Sequence, residues 1–221
     1  VHEAVVRGLA EVLLIGDAEG IKSICRKAGI DFRLFSLIDA ENEAAASIEA
    51  VRMTRAGEAD IVMKGLVGTD VFLREVMDKN RGLMFSGSVM SYVCALQLPA
   101  YHKLLFITDP AVIPEPSLEQ KISMAEYAVA MAERFGIKKP KMALISASEK
   151  PSRHFRSSAD YEEMCRLARS GAIADCTMDG PLDIFLACDR KSVEIKGVET
   201  PVNGDADILL FPSLESSNPF Y

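Results

Sequence analysis

Short apolar runs alternate along the chain with longer amphipathic stretches. Runs rich in Val, Ile, Leu and Phe are typical of buried strands, and stretches with a period of three to four residues are typical of helices. The predicted strands are residues 11–15, 33–38, 60–64, 103–108, 141–147, 174–179 and 206–211. The predicted helices are residues 18–28, 41–56, 69–79, 117–135, 159–170 and a weaker one after Pro181. This alternation predicts repeated βα units and a largely parallel sheet.

One segment, residues 81–99, departs from this alternation. It carries Gly82, Gly87, Ser86, Ser88 and Ser91 among apolar residues, without a clean helical or strand period. We interpret it as a loop that leads into a strand of a second layer or of a small subdomain.

Composition and charge narrow the class of protein. The chain has 221 residues, of which 49% are hydrophobic and 26% charged, as in an ordinary globular protein. A formal net charge of −7 argues against a general nucleic-acid binder, because phosphate contacts need a basic surface. No apolar run approaches the length of a membrane span, so no membrane partner is expected. Five scattered cysteines without a C-x-x-C spacing predict neither a zinc site nor a disulfide framework, which favours a reducing, cytoplasmic location.

The first candidate site is the turn between the predicted strand 60–64 and the next helix. Ligands of open α/β sheets bind where strands end and helices begin. The turn contains Lys64, Gly65, Gly68 and Thr69, and its glycines and free helix-start N–H groups suit a phosphate. Arg74 follows on the helix as a second cation for an anion, or as a solvated charge. The alternative is a tight turn in which Thr69 is the N-cap.

Two further candidates are small polar segments. Ser86-Gly87-Ser88 is a hydroxyl-rich loop, and such loops are usually only connections. Thr108-Asp109 stands at a strand end, where the pair either binds a ligand or holds a neighbouring loop through side-chain-to-backbone hydrogen bonds. General considerations favour the structural role for Thr108 and Asp109.

The last two candidates are an acidic turn and a basic loop. Asp179 and Asp183 flank a Gly-Pro turn and resemble an acid/base or metal constellation, but no third ligand accompanies them, so no metal site is predicted. Residues 150–156, with sequence KPSRHFR, form the most positive patch of the chain. This patch is either solvated or meets the phosphates of a ligand.

Five stretches, taken together and in order, resemble the phosphate acetyl/butyryl-transferase family, with the butyryl branch closer. They are residues 59–65 (ADIVMKG), 103–109 (KLLFITD), 136–141 (GIKKPK), 178–182 (MDGPL) and 204–212 (GDADILLFP). The likeness runs over nearly the whole chain.

The resemblance implies an isocitrate/isopropylmalate-dehydrogenase-like architecture: a mostly parallel sheet with helices on both faces, in two subdomains around a cleft. Residues 1–221 are then one acyltransferase-like domain whose two ends are incomplete relative to the family. The implied reaction moves a short acyl group between coenzyme A, a co-substrate, and inorganic phosphate. No metal and no permanently bound cofactor are implied, and the usual assembly is a homodimer or a higher homo-oligomer.

The resemblance also implies a set of site residues. The catalytic candidates are Thr108, Asp109 and Asp179. The substrate-binding candidates are Lys64, Gly65, Gly68, Thr69, Arg74, Ser86, Gly87, Ser88, Gly180 and Asn218.

Two alternatives stay open, the first because of departures from the family pattern. Where the family has Arg-Thr-Gly this chain has Phe85-Ser86-Gly87, and where the family has Ser-His it has Ser91-Tyr92. One alternative is therefore an altered relative that binds coenzyme A or acyl ligands without transfer. The other is a metal-dependent oxidoreductase of the same architecture, which needs a set of metal-binding aspartates and is excluded by metal-independent activity.

Overall fold

A computed structural model of the chain describes residues 1–173 and 175–221. The chain divides into two compact units, which we call unit 1 (Val1–Ser88) and unit 2 (Val89–Tyr221).

Unit 1 is built from helices and one small parallel sheet. The strands are β1 (Leu13–Gly16) and β2 (Ser36–Asp39), paired in parallel with Leu13 opposite Ser36. The helices are α1 (His2–Val6), α2 (Ala18–Lys27), α3 (Glu43–Ala56) and α4 (Thr69–Val76), with a short 3-10 turn at Phe32–Leu34. The predicted strands 11–15 and 33–38 are thus confirmed in part, since the second begins later, after the 3-10 turn.

Local side chains explain where the helices of unit 1 begin and end. The carboxylate of Asp17 accepts the N–H of Gly20 at the start of α2, and the amide oxygen of Asn42 accepts the N–H of Ala45 at the start of α3. Gly57 ends α3 in the left-handed conformation, with φ 74°. The predicted helices 18–28 and 41–56 are confirmed with small shifts of their ends.

The predicted strand 60–64 is wrong. Ile61 is 79% exposed and Met63 is 75% exposed. Within the described residues, the segment makes no backbone–backbone hydrogen bond, so it has no neighbouring strand. An apolar run becomes a strand only when a neighbour satisfies its N–H and C=O groups, and hydrophobic patterning does not supply that neighbour.

Unit 2 contains a five-stranded sheet, counted over the described residues. Its strands are β3 (Val93–Leu96), β4 (Leu105–Thr108), β5 (Lys141–Ile145), β6 (Thr177–Leu182) and β7 (Ile208–Leu210), in the order β3-β4-β7-β5-β6. β3 runs antiparallel to β4, and the other pairs are parallel. The predicted strands 103–108, 141–147 and 206–211 are confirmed in their central residues.

Two sequence predictions need adjustment in unit 2. The strand predicted over 174–179 begins at Ala174, which lies outside the described residues, and β6 continues through Pro181 to Leu182 instead of turning there. Residues 81–99 do lead into a strand, but β3 joins the edge of the main sheet instead of a second layer.

Helices cover both faces of the unit 2 sheet. On one face α5 (Leu118–Arg134) and α6 (Ser157–Arg169) pack against Phe106, Met142 and Leu210. On the other face α7 (Ile184–Cys188) and α8 (Arg190–Lys196) pack against residues that alternate with those, such as Ile107, Ala143 and Leu209. The short helix α9 (Leu214–Ser217) follows β7. The α/β fold with a mostly parallel sheet is confirmed.

No helix within residues 1–173 and 175–221 combines the length and the apolar character that a membrane crossing requires.

Candidate functional site

The site residues implied by the sequence fall in both units. Unit 1 holds Lys64, Gly65, Gly68, Thr69, Arg74, Ser86, Gly87 and Ser88. Unit 2 holds Thr108, Asp109, Asp179, Gly180 and Asn218.

A carboxylate from the start of α3 contacts the turn before α4. Gly68, and not Thr69, occupies the N-cap position, so the alternative that made Thr69 the N-cap is wrong, and Thr69 is the first helical residue. The N–H of Gly68 donates to the carboxylate of Glu43, at 2.9 Å. The start of a helix attracts negative charge, so Glu43 stands where an external anion would bind.

The two cations near this turn are exposed. The ammonium group of Lys64 donates to the carbonyl oxygen of Gly65, at 3.2 Å. Arg74 approaches Asp70 to 4.0 Å with both side chains in solvent, an arrangement that contributes little to stability. Both cations are therefore accessible to an anionic ligand.

The Ser86-Gly87-Ser88 segment is a tight turn. The hydroxyl of Ser88 donates to the carbonyl oxygen of Phe85, at 2.7 Å, and Gly87 adopts φ 79°. The ring of Phe85 is 86% exposed. The turn therefore presents an apolar ring and the exposed residue Ser86 to solvent.

In unit 2, Asp109 organises the loop at the carboxyl end of β4. It is 2% exposed. One carboxylate oxygen accepts the N–H groups of Ala111 and Val112, both at 2.9 Å, and the other accepts the N–H of Tyr92 at 3.2 Å. These bonds make Asp109 the link between the start of β3 and the loop after β4, which is the structural role that general considerations favoured.

The end of α9 holds the same loop from another direction. The buried hydroxyl of Ser217 donates to the carbonyl oxygen of Asp109, at 2.6 Å. The side-chain amide of Asn218 donates to the carbonyl oxygen of Pro110, at 3.0 Å. The structure therefore brings Thr108, Asp109 and Asn218 together.

Ser91 adds a hydroxyl to this group. Its oxygen lies 3.3 Å from the hydroxyl oxygen of Thr108, which is fully buried, whereas Ser91 is partly exposed. Ser91 was missing from the residues implied by the sequence, although its position within the Ser91-Tyr92 pair was a usable signal. A hydrogen bond with Tyr221, together with burial, raises the pKa of Tyr92 to about 12, so this phenol stays protonated near neutral pH.

Asp179 lies apart from Thr108. Across the sheet, Asp179 is aligned with Ala143, Leu209 and Ile107, so its side chain is on the opposite face from that of Thr108. Three strand spacings separate β6 from β4, which is roughly 14 Å. The carboxylate of Asp179 is half-buried and makes no hydrogen bond or ion pair within the described residues. The structure does not bring these two catalytic candidates together.

The neighbours of Asp179 have structural roles. A Cβ on Gly180 would lie 2.5 Å from the Cβ of Leu144 and 2.7 Å from its carbonyl oxygen, so only glycine fits there. Asp183 caps α7 by accepting the N–H of Leu186 at 2.9 Å and also pairs with Lys196. Asp183 is therefore engaged and is not free to act with Asp179 as an acid/base pair.

An ion-pair network lies at the amino ends of the central strands of the sheet. Asp205 pairs with Lys103 at 3.1 Å and with Lys141 at 3.0 Å, and Asp207 pairs with Lys103 at 2.7 Å. The GDAD segment that contributes to the family resemblance thus joins the amino ends of β4, β5 and β7. Over the described residues, no three His, Cys, Asp or Glu side chains form a group that could hold a metal ion.

The family model with the description "Phosphate acetyl/butaryl transferase" matches residues 40–221. A phosphate butyryltransferase of Clostridium acetobutylicum is 37% identical over 221 residues, which are 100% of this chain and 73% of that protein. A phosphate acetyltransferase of Thermotoga maritima is 31% identical over 225 aligned residues, covering 100% of this chain and 76% of that protein.

Solved structures agree with the sequence comparisons. A branched-chain phosphotransacylase from Enterococcus faecalis superposes with a TM-score of 0.81 and 28% identity, over 96% of this chain and 83% of that one. Similarity of sequence and of fold extends over both units of the chain. The chain therefore belongs to the phosphate acetyl/butyryl-transferase family.

Proposed function

We propose that the protein transfers a short acyl group reversibly between coenzyme A and inorganic phosphate. The observation that carries this proposal is the 37% identity to a phosphate butyryltransferase along the entire chain. The likeness to a branched-chain phosphotransacylase and the Asp179-Gly180-Pro181-Leu182 segment favour butyryl and isobutyryl groups over acetyl.

Several finer features belong to the same proposal. They are the isocitrate-dehydrogenase-like architecture with a cleft between two subdomains, a homodimeric or higher assembly, and a cytoplasmic location. Coenzyme A is a co-substrate in this proposal and not a resident cofactor. The family resemblance supports each of these features.

The reaction itself defines what the site has to provide. An oxygen of phosphate attacks the thioester carbonyl carbon, the new C–O bond forms and the C–S bond breaks. The thiolate of coenzyme A leaves and takes up a proton. Negative charge develops first on the carbonyl oxygen and then on sulfur, so hydrogen-bond donors and a proton donor near these atoms lower the barrier.

In unit 2, we propose that the hydroxyl of Ser91 faces the substrate while Thr108, Asp109 and Asn218 act as positioning residues. Thr108 is buried under Ser91, and the carboxylate of Asp109 is engaged by three backbone N–H groups. Asp179 is the candidate acid/base group because its carboxylate is half-buried and has no partner among the described residues.

In unit 1, we propose that the turn before α4 and the Ser86-Gly87-Ser88 turn bind phosphoryl oxygens. The residues are Lys64, Gly65, Gly68, Thr69, Arg74, Ser86, Gly87 and Ser88. The exposed ammonium and guanidinium groups supply charge, and the glycines allow close approach of the backbone.

The test follows release of coenzyme A from acetyl-, butyryl- and isobutyryl-coenzyme A by the full-length protein, with and without phosphate, in the presence of a chelator. Phosphate-dependent release that the chelator does not affect supports the acyltransferase. Binding of coenzyme A without release supports the altered relative, and release or turnover that the chelator abolishes supports the metal-dependent alternative.

Variants then locate the reacting centre. β4, whose Thr108 is bonded to Ser91, lies roughly 14 Å from β6, which carries Asp179, and Ser91 precedes β3 on the far side of β4, so one reacting carbon cannot touch both Ser91 and Asp179. We expect Ser91→Ala and Asp179→Asn to differ, and the variant that lowers kcat while leaving KM within about twofold marks the chemistry. Asp175→Asn, at an exposed carboxylate that pairs with Lys139 at 4.0 Å, is the matched control for Asp179.

A further inference from the structure

The loop between β5 and α6 is the most basic part of an acidic chain. Lys150, Arg153, His154 and Arg156 lie within seven consecutive residues that contain no acid, whereas the whole chain has a formal net charge of −7. We call residues 150–156 the basic loop.

The cations of the basic loop are exposed and essentially unpaired. Within the described residues, the side chains of Lys150, Arg153 and His154 make no ion pair and no hydrogen bond. The guanidinium of Arg156 reaches only Glu115, at 4.0 Å, with both side chains more than 80% exposed. Such a pair contributes little, so these positive charges are available to a ligand.

The basic loop is also held in a fixed place. The N–H of Ser152 donates to the hydroxyl of Ser158 at 3.2 Å, which ties the loop to the first turn of α6. The side chain of Lys121, which is 3% exposed, anchors this first turn of the helix. Its ammonium group donates to the carboxylate of Asp160 at 2.6 Å and to the carbonyl oxygen of Pro116 at 2.9 Å. The loop therefore presents its cations at the carboxyl end of β5, where ligands of α/β sheets bind.

We propose that the basic loop binds the phosphates at the nucleotide end of coenzyme A. This inference rests on the proposed function, because it assigns a part of that substrate to a surface of unit 2. Exposed cations spread over a segment of seven residues match a ligand with several separated phosphates. A transferable inorganic phosphate, by contrast, reacts in a site from which water is excluded. The positive end of the α6 dipole adds to the attraction.

The test compares Arg153→Ala/Arg156→Ala with the wild-type protein in binding coenzyme A, 3′-dephospho-coenzyme A and pantetheine by calorimetry. We expect the Kd for coenzyme A to rise about 5- to 20-fold, that for dephospho-coenzyme A to rise less, and that for pantetheine to stay within about twofold. Raising the ionic strength weakens binding of coenzyme A to the wild type more than to the variant.

The matched control is Arg190→Ala/Lys191→Ala, which removes the same two charges from exposed residues at the start of α8. We expect its Kd for coenzyme A to stay within about twofold of the wild type. Circular dichroism of both double variants confirms that the fold is kept.

Three results overturn the inference: unchanged affinity of the Arg153/Arg156 variant for coenzyme A, an equal loss for pantetheine, or a wild type that does not bind coenzyme A. A rise of KM for inorganic phosphate in place of that for acyl-coenzyme A assigns the loop to the other substrate and also overturns it. If binding behaves as expected but no phosphate-dependent transfer occurs, the inference stands and the proposed function fails.

Discussion

Units 1 and 2 share βα connectivity but differ in how completely they bury their strands. In unit 2, the strands β4, β7 and β5 each have a neighbouring strand on both sides, and an apolar cluster covers each face of the sheet. In unit 1, the sheet consists of two paired strands. The buried apolar side chains of the unit are Cys25, Phe35, Ala46, Val51, Met53 and Val76. The difference shows that the same kind of apolar run becomes a core strand or an exposed segment depending on its neighbours.

The largest expected contrast between the units is the cost of a large cavity. Phe106→Ala removes a fully buried ring that packs edge-on against Phe135 at 5.4 Å. We expect the free energy of unfolding of unit 2 to fall by about 3–5 kcal/mol. We expect Phe35→Ala to lower the free energy of unfolding of unit 1 by about 1–2 kcal/mol less than this. The surroundings of Phe35 are closer to the surface and can collapse into the cavity.

Urea unfolding with hydrogen exchange resolved along the chain measures the two costs separately. Equal losses for Phe35→Ala and Phe106→Ala contradict the contrast in packing between the units.

The next prediction concerns the loop after β4 in unit 2. In unit 2 the buried Asp109 accepts three backbone N–H groups, and Asp109→Ala leaves all three without their acceptor. We expect a loss of about 2–4 kcal/mol, since unmade hydrogen bonds of buried groups cost about 1–3 kcal/mol each and water replaces some of them. Asp109→Asn is the sharper variant. Its oxygen can still serve Ala111 and Val112, while its NH₂ group faces the N–H of Tyr92.

We expect Asp109→Asn to cost about 1–2 kcal/mol, roughly half the loss in Asp109→Ala, by thermal unfolding. In kinetics, a positioning role predicts a similar fall of kcat in both variants without a change in the pH profile. A shift of the pH profile in Asp109→Asn instead marks Asp109 as a proton-transfer group.

Local patterning predicted much of the fold, and strand neighbours account for most of the errors. The runs 103–108 and 141–147 were predicted well because strands on both sides make an apolar run a buried strand. The run 60–64 also has an apolar centre, but within the described residues it has no neighbouring strand, and hydrophobicity carries no information about pairing.

The candidate site shows the same limit of local sequence. The loop-holding role of Asp109 was predictable, because side chains of Asp at strand ends bond nearby N–H groups. The separation of Asp179 from Thr108 was not, because it depends on the strand order, which inserts β7 and β5 between β4 and β6. The bond between Ser91 and Thr108 likewise arises from antiparallel pairing of β3 with β4.

A moderate contrast concerns charge networks. Burial alone would raise the pKa of Asp205, but the ammonium groups of Lys141 and Lys103 outweigh it and lower the pKa from 3.8 to about 2. A carboxylate with a lowered folded-state pKa stabilises the fold above its unfolded pKa. This stabilisation is therefore complete above about pH 4 and is lost as the pH falls through about 2.

We expect Asp205→Asn to lower the stability of unit 2 at pH 7 by about 1–2 kcal/mol and to remove part of the acid sensitivity between pH 4 and 2. Denaturant titrations at several pH values measure both effects. Arg52→Ala in unit 1 breaks exposed pairs with Glu49 and Glu58 and is the comparison, with a smaller expected loss. An equal loss from Arg52→Ala contradicts the idea that partial burial strengthens the unit 2 network.

The smallest expected effect on stability, and the most informative one for function, lies at the start of α4. Glu43→Gln removes the charge that accepts the N–H of Gly68 at 2.9 Å, in an exposed position. We expect unit 1 to lose less than about 1 kcal/mol. If the turn of Lys64–Thr69 binds a phosphoryl group, Glu43 competes for the same N–H. The variant then lowers KM for the phosphate-bearing substrate that uses this turn, by about two- to fivefold.

Glu41→Gln is the matched control, because it removes an equal charge two residues away and makes no hydrogen bond or ion pair within the described residues. A lower KM in Glu43→Gln but not in Glu41→Gln assigns the turn to phosphate binding by direct competition. Equal changes of KM in both variants mean that only the overall electrostatic potential of unit 1 has changed. A higher KM in Glu43→Gln alone means that Glu43 holds the turn in its binding conformation. The internal carboxylate would then support the turn in unit 1 as Asp109 supports the loop in unit 2.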